Sequence, residues 1–116
     1  MTAVRLGAEV SGDALEVFDR FAAAMRERWP ELGLEPHAGG PVKLWRPGNR
    51  LEIEWREPAW PERVMTSLAV SFESAGPRTR ISLEHTGFER LGEEITRRYE
   101  TGWGALLESL RPAAEG

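Results

Sequence analysis

There is no cysteine among the 116 residues of this chain, and that absence closes several routes at once. Disulfides, thiol nucleophiles and thiolate metal sites are excluded. Long hydrophobic runs are also missing, and the apolar stretches that exist are too short to cross a bilayer. The start, Met1-Thr2-Ala3-Val4-Arg5, has neither the basic opening nor the apolar stretch of a secretory signal, so a cytoplasmic location is expected. Positive charge is not in excess: 15 Lys and Arg stand against 19 Asp and Glu, a formal net charge of -4. The arginines are interleaved with glutamates rather than clustered, which disfavours nucleic acid as a partner. No nucleophile triad, phosphate loop or nucleotide fingerprint occurs, and no cofactor or metal is expected.

What is present is the composition of an ordinary globular chain, 41% hydrophobic and 29% charged, of a length that suits one domain over residues 1–116 with one real core. Tryptophan is the unusual component. Trp29, Trp45, Trp55, Trp60 and Trp103 each call for a large apolar contact and one hydrogen-bond acceptor, which suits cores, pocket walls and interfaces alike.

Residues 2–10 alternate, with Val4, Leu6, Ala8 and Val10 on one face, and read as a half-buried strand. Asp13 with Glu16 three residues on forms a capping pattern, followed by an apolar stripe of Leu15, Phe18, Ala22, Met25 and Trp29 that ends at Pro30. Residues 32–37 suggest a short strand and residues 42–45 a second. Leu51, Ile53 and Trp55 form the inward set of a third strand, and Pro58 and Pro61 bracket Trp60 in a loop. Thr66, Leu68, Val70 and Phe72 alternate in the next strand, Ser74-Ala75-Gly76-Pro77 makes a hairpin turn, and Thr79, Ile81, Leu83 and His85 return. Residues 88–92 suggest a short helical lead-in, after which Ile95, Tyr99, Trp103, Leu106, Leu107 and Leu110 give a helical stripe that stops at Pro112. One-sided strands need a cover, and the terminal helix is long enough to supply it. The expected class is therefore α+β, a curved antiparallel sheet wrapped around a long C-terminal helix with one N-terminal helix, and the gap between sheet and helix becomes a cavity.

Four segments then recur in a known order. Glu35-Pro36-His37-Ala38-Gly39-Gly40 is an E-P-x-x-G-G turn, and Leu44-Trp45-Arg46-Pro47 precedes Leu51-Glu52-Ile53-Glu54-Trp55. Thr79 to Phe88 reads T-x-hydrophobic-x-L-x-H-x-G-aromatic, and Gly102-Trp103 with Leu106, Leu107 and Leu110 forms a G-W-x-x-x-L ending. With these, the chain from Glu35 to Leu110 resembles the SRPBCC superfamily of START-like, helix-grip proteins. Within it, the match is to the branch of the activator of Hsp90 ATPase homologue 1-like proteins. The resemblance implies the helix-grip fold and binding of a hydrophobic small molecule in the cavity, with no defined reaction. It also implies a departure: relatives carry a further strand and hairpin between the Gly-Gly turn and the Trp-x-Pro segment. The region 32–46 is therefore shortened, and a free sheet edge there leaves a homodimer open as an alternative.

The residues expected to line the cavity are Trp55, Leu68, Val70, Ile81, Leu83, His85, Tyr99 and Trp103. His85 is the weak catalytic candidate, as a general base of a cyclase-like or hydrolytic enzyme, weighed against a structural histidine near the strand–helix junction. His37 and Glu35 read as turn residues rather than ligands, and Tyr99 and Trp103 offer a phenol and an indole N–H one helical turn apart. Gly102 and Gly104 flank Trp103 at a cost of about 1 kcal/mol each against Ala, which suggests that something approaches the helix backbone there.

Overall fold

The computed structural model describes residues 3–111, and its elements follow from local signals in the chain. Strand β1 (Val4–Ser11) leads through Gly12 to helix α1 (Ala14–Arg28), where the Asp13 carboxylate accepts the Glu16 backbone N–H at 2.9 Å. A single 3₁₀ turn at Pro30–Leu32 follows. Then come β2 (Val42–Arg46), β3 (Arg50–Trp55), β4 (Thr66–Ala75), β5 (Arg78–Thr86) and helix α2 (Gly92–Ser109). The hairpin between β4 and β5 turns on Gly76-Pro77, with φ +66° at Gly76 as a two-residue hairpin loop requires.

The strands form one antiparallel five-stranded sheet in the order β1-β5-β4-β3-β2. Its register aligns the inward residues in rows. Val4, His85, Leu68, Ile53 and Val42 lie side by side across the sheet, as do Leu6, Leu83, Val70, Leu51 and Trp45. Both helices cover these rows: Phe18 and Phe21 of α1 meet Phe72 of β4, and Phe21 also stacks on Trp103 of α2 at 6.0 Å. The expected α+β helix-grip architecture is what the chain forms. Arg20 ties its far end together, donating to the Leu110 carbonyl at 2.8 Å and to the Ser11 carbonyl, so the last turn of α2 is fastened to the end of β1.

Four local expectations differ from the structure. Residues 32–37 are not a strand, because Gly33 takes a left-handed conformation (φ +61°) and the Glu35 N–H closes a tight turn onto the Gly33 carbonyl. Leu15 is 53% exposed, since the buried stripe of α1 is Val17, Phe18, Phe21, Ala22 and Met25 and the first turn packs its backbone on the turn at Gly48. Residues 88–92 make one turn closed on the Phe88 carbonyl, and φ +86° at Gly92 breaks continuity with α2. Pro112, expected to stop α2, lies outside the described residues; the helix ends at Ser109.

The fourth concerns Gly104. A Cβ there would meet nothing within 4 Å, so no close approach requires this glycine. Gly104→Ala should therefore stabilise the protein by about 1 kcal/mol through helix propensity alone. In a thermal melt this appears as a rise in Tm of roughly 4 °C; an unchanged or lower Tm would mean that a side chain is not free to stand there.

Candidate functional site

A tryptophan indole can only donate a hydrogen bond, and this fixes the chemistry of the interior. Trp103 Nε1 donates to Nδ1 of His85 at 3.0 Å. His85 must then carry its proton on Nε2, which lies 2.8 Å from Thr66 Oγ1 and donates to it. The Thr66 hydroxyl in turn donates to the Trp55 carbonyl at 2.9 Å. From the side chain of the same Trp55 a second path starts: Nε1 donates to the Tyr99 hydroxyl at 2.8 Å, and that hydroxyl donates to the Glu57 carboxylate. The helix, β5, β4, β3 and the loop after β3 are thus joined by hydrogen bonds in which every side-chain donor has an acceptor.

Burial sets the protonation states along this path. His85 has no exposed surface, and desolvation lowers its pKa from 6.5 to about 3, so the ring is neutral at neutral pH. Burial also raises the Tyr99 pKa, and its hydrogen bond to Glu57 raises it further, so the phenol stays protonated. Around them the rings pack edge to face: Trp29 on Trp55 at 5.0 Å, Trp55 on Trp103 at 5.3 Å and His85 on Tyr99 at 5.1 Å. Phe88 closes the lower side, 4.6 Å from His85. It follows Gly87, whose φ of +97° disfavours a side chain and where an added Cβ would crowd the Met65 carbonyl at 3.2 Å.

All eight residues expected to line a cavity are brought to the inward face and buried: Trp55, Leu68, Val70, Ile81, Leu83, His85, Tyr99 and Trp103 are each 5% exposed or less. The aromatic ones touch one another, so side chains occupy the space between sheet and α2 at this end. As a base, His85 would first have to release the indole of Trp103 from its lone pair. Trp45 lies apart, edge-on to Phe18 at 5.1 Å and under the Arg26 guanidinium. His37 is exposed and its Nδ1 lies 2.8 Å from the Glu35 carbonyl. Among the described residues no three His, Asp or Glu side chains are grouped as metal ligands.

Open space begins one layer further out. A groove of about 550 Å³ runs between the end of α1, the loop 56–65 and α2, lined by Trp29, Trp60, Tyr99, Ile95, Glu57 and Gly102 with Arg28 and Arg98 at its edge. Of these only Tyr99 was among the expected lining residues. Trp60 carried a legible signal as a tryptophan between two prolines in a loop. Glu57 carried none, because nothing in sequence places it beside Tyr99, 42 residues away.

A curved antiparallel sheet closed by a C-terminal helix, with a polar relay through an aromatic interior, defines a helix-grip protein of the START-like class. The profile of the activator of Hsp90 ATPase homolog 1-like proteins matches residues 16–115, and the chain belongs to that family. No curated protein matches it in sequence. Among solved structures it is similar to the Aha1 dimer of Colwellia psychrerythraea, at 16% identity and a TM-score of 0.70 over 96% of this chain and 94% of that one. It is also similar to the AHSA1-like protein of Rhizobium etli, at 22% identity and 0.69 over 98% and 82%. A third is CalC of Micromonospora echinospora, a self-sacrificing resistance protein, at 22% and 0.64 over 95% and 92%. At these identities the likeness is one of fold.

The neutral His85 makes stability depend on pH in a defined direction. Below pH 6.5 the unfolded imidazole takes up a proton that the folded one refuses until about pH 3, so the unfolded state gains with acid. Stability should fall by up to about 1.4 kcal/mol per pH unit between those limits from this group alone. His85→Gln has no such proton to take up, and denaturant titrations at pH 7 and pH 4.5 should show its deficit against wild type shrinking. An unchanged deficit would mean that His85 is protonated in the folded state.

Proposed function

We propose that this chain binds an apolar small molecule as one functional unit, and that the molecule sits in the groove beside Trp29, Trp60 and Tyr99. The observation that carries this reading is a division of space. The interior behind Tyr99 is filled by Trp55, His85 and Trp103, whereas the groove keeps aromatic surface within reach of solvent. In this reading Trp55, His85 and Trp103 position Tyr99, while Leu68, Val70, Ile81 and Leu83 supply the packed layer beneath. The loop 56–65 forms one wall, held by Glu57 on Tyr99 and by Arg56, which donates to the Trp60 carbonyl at 3.2 Å. Catalysis has less support, since both nitrogens of His85 are engaged.

A second reading, self-association through the free edge of β2, draws on the dimer formed by the Colwellia relative. That edge carries Lys43 and Arg46, is flanked by Pro41 and Pro47, and has an irregular register at residues 42–44. These are the features by which sheet edges resist pairing. Light scattering over a wide concentration range should show one constant monomer mass; a mass that rises with concentration would favour the interaction reading.

Gly102 gives a direct test of the groove. A Cβ there would meet Arg28 and Trp29 at 3.5–3.7 Å, ordinary contact. The longer side chain of Gly102→Leu would displace Arg28 and enter the groove, with near-ultraviolet circular dichroism as the check that the variant folds. Native mass spectrometry of the gently purified protein should show an adduct lost in this variant, and NMR titration with an apolar probe should weaken by about tenfold or more. Val70→Ala, beneath the sheet–helix interior, should leave binding within about twofold. The opposite pattern would place the ligand in the interior.

A further inference from the structure

The charges at the groove do not match the chain that carries them. The protein is acidic overall, yet two arginines stand at the edge of this groove, one from each helix. Arg98 and Gly102 are one helical turn apart on the same face of α2. Arg28, from the last turn of α1, crosses to that point: its Nε would lie 3.5 Å from a Cβ on Gly102. Arg28 thus reaches the Gly102 stretch of α2, whereas the Arg98 guanidinium is turned the other way along the helix. Arg98 has a partner, donating to Glu94 at 2.9 Å, one turn back on the helix. Arg28 is exposed and rests over the Trp29 ring at 5.6 Å, with no carboxylate among the described residues against it.

A guanidinium held over a ring keeps N–H groups that can meet an oxyanion two bonds at a time. The other charged side chain in the groove is Glu57, whose carboxylate is held down onto the Tyr99 hydroxyl. Its charge repels an anion from the loop side and favours the arginine side. Between these poles lie the apolar surfaces of Trp29, Trp60 and Ile95.

Resting on the groove reading, we infer that the ligand is an apolar organic anion: an aromatic or aliphatic body against Trp60 and Ile95, with a carboxylate, sulfonate or phosphate group on Arg28. An anionic head group gives the exposed Arg28 guanidinium the carboxylate-like partner it lacks. The neutral interior offers such a group nothing, because every donor there is already taken.

The test uses two probes with the same rings, anilinonaphthalene sulfonate and its uncharged counterpart N-phenylnaphthylamine. Binding is measured by calorimetry and NMR on the intact protein, with near-ultraviolet circular dichroism to confirm that it stays folded. The sulfonate should bind about tenfold more tightly than the neutral probe, and the preference should shrink as salt is added. Arg28→Gln, a change at an exposed position, should remove most of that preference and leave the neutral probe within about twofold. If both probes bind equally and Gly102→Leu abolishes both, the groove stands and the anion is overturned. A sulfonate preference that survives in Arg28→Gln overturns the assignment to this arginine. If neither probe binds the folded protein, the groove reading falls and this inference with it.

Discussion

An indole N–H buried away from water has to be given an acceptor, and in this protein Trp103 finds it across the interior, on Nδ1 of His85 in β5. That bond joins the middle of α2 to the sheet and dictates the rest. It assigns the histidine proton to Nε2, which calls for an acceptor on the neighbouring strand, supplied by Thr66. Thr66 needs an acceptor in turn and uses the Trp55 carbonyl. Each link is worth about 1 kcal/mol when made, but an orphaned donor here would cost more than the bond contributes. The helix is consequently held in register, since sliding it by one residue would leave several polar groups unpaired together.

The same requirement explains why the interior is full at this end. Three indoles, a phenol, an imidazole and a phenyl ring meet at centroid distances of 4.6–5.9 Å. These are the separations at which edge-to-face pairs are favourable. Rings packed this way leave no room for a ligand between them. Open space is displaced outward, to where the loop 56–65 meets the end of α1, and the Tyr99 hydroxyl is where the two regions meet. It accepts from Trp55 inside and donates to Glu57 in the groove.

Much of this could be read from the sequence, for physical reasons specific to each element. Period-two alternation marked β3, β4 and β5 and put Trp55, Thr66 and His85 on the inward face. The three- and four-residue spacing of Tyr99, Trp103, Leu106 and Leu110 marked the buried stripe of α2. Both are one-dimensional signals that survive folding because register and helical pitch are regular. The pairing of His85 with Trp103 was not legible, since it depends on where α2 crosses the sheet. The groove was less so. Trp29 sits at the end of one helix and Glu57 and Arg28 in or beside irregular backbone, where no period relates sequence to direction. Leu15 misled in the opposite way: its spacing fits the stripe, but the first turn of α1 lies against the Gly48 turn.

Electrostatics separates the two regions as sharply as packing does. On the outer face of the sheet, Arg5 with Glu84, Arg50 with Glu52 and Arg80 with Glu9 and Glu73 are exposed pairs that cancel locally. Such pairs add little stability. The interior carries no charge, because burial holds His85 neutral and Tyr99 protonated. At the groove Arg98 is paired with Glu94, but two further charges are held in other ways. Arg28 is stacked rather than paired, and Glu57 is hydrogen-bonded to a phenol rather than to a cation. Two such poles on either side of an aromatic floor have the asymmetry needed to orient a molecule with one charged end.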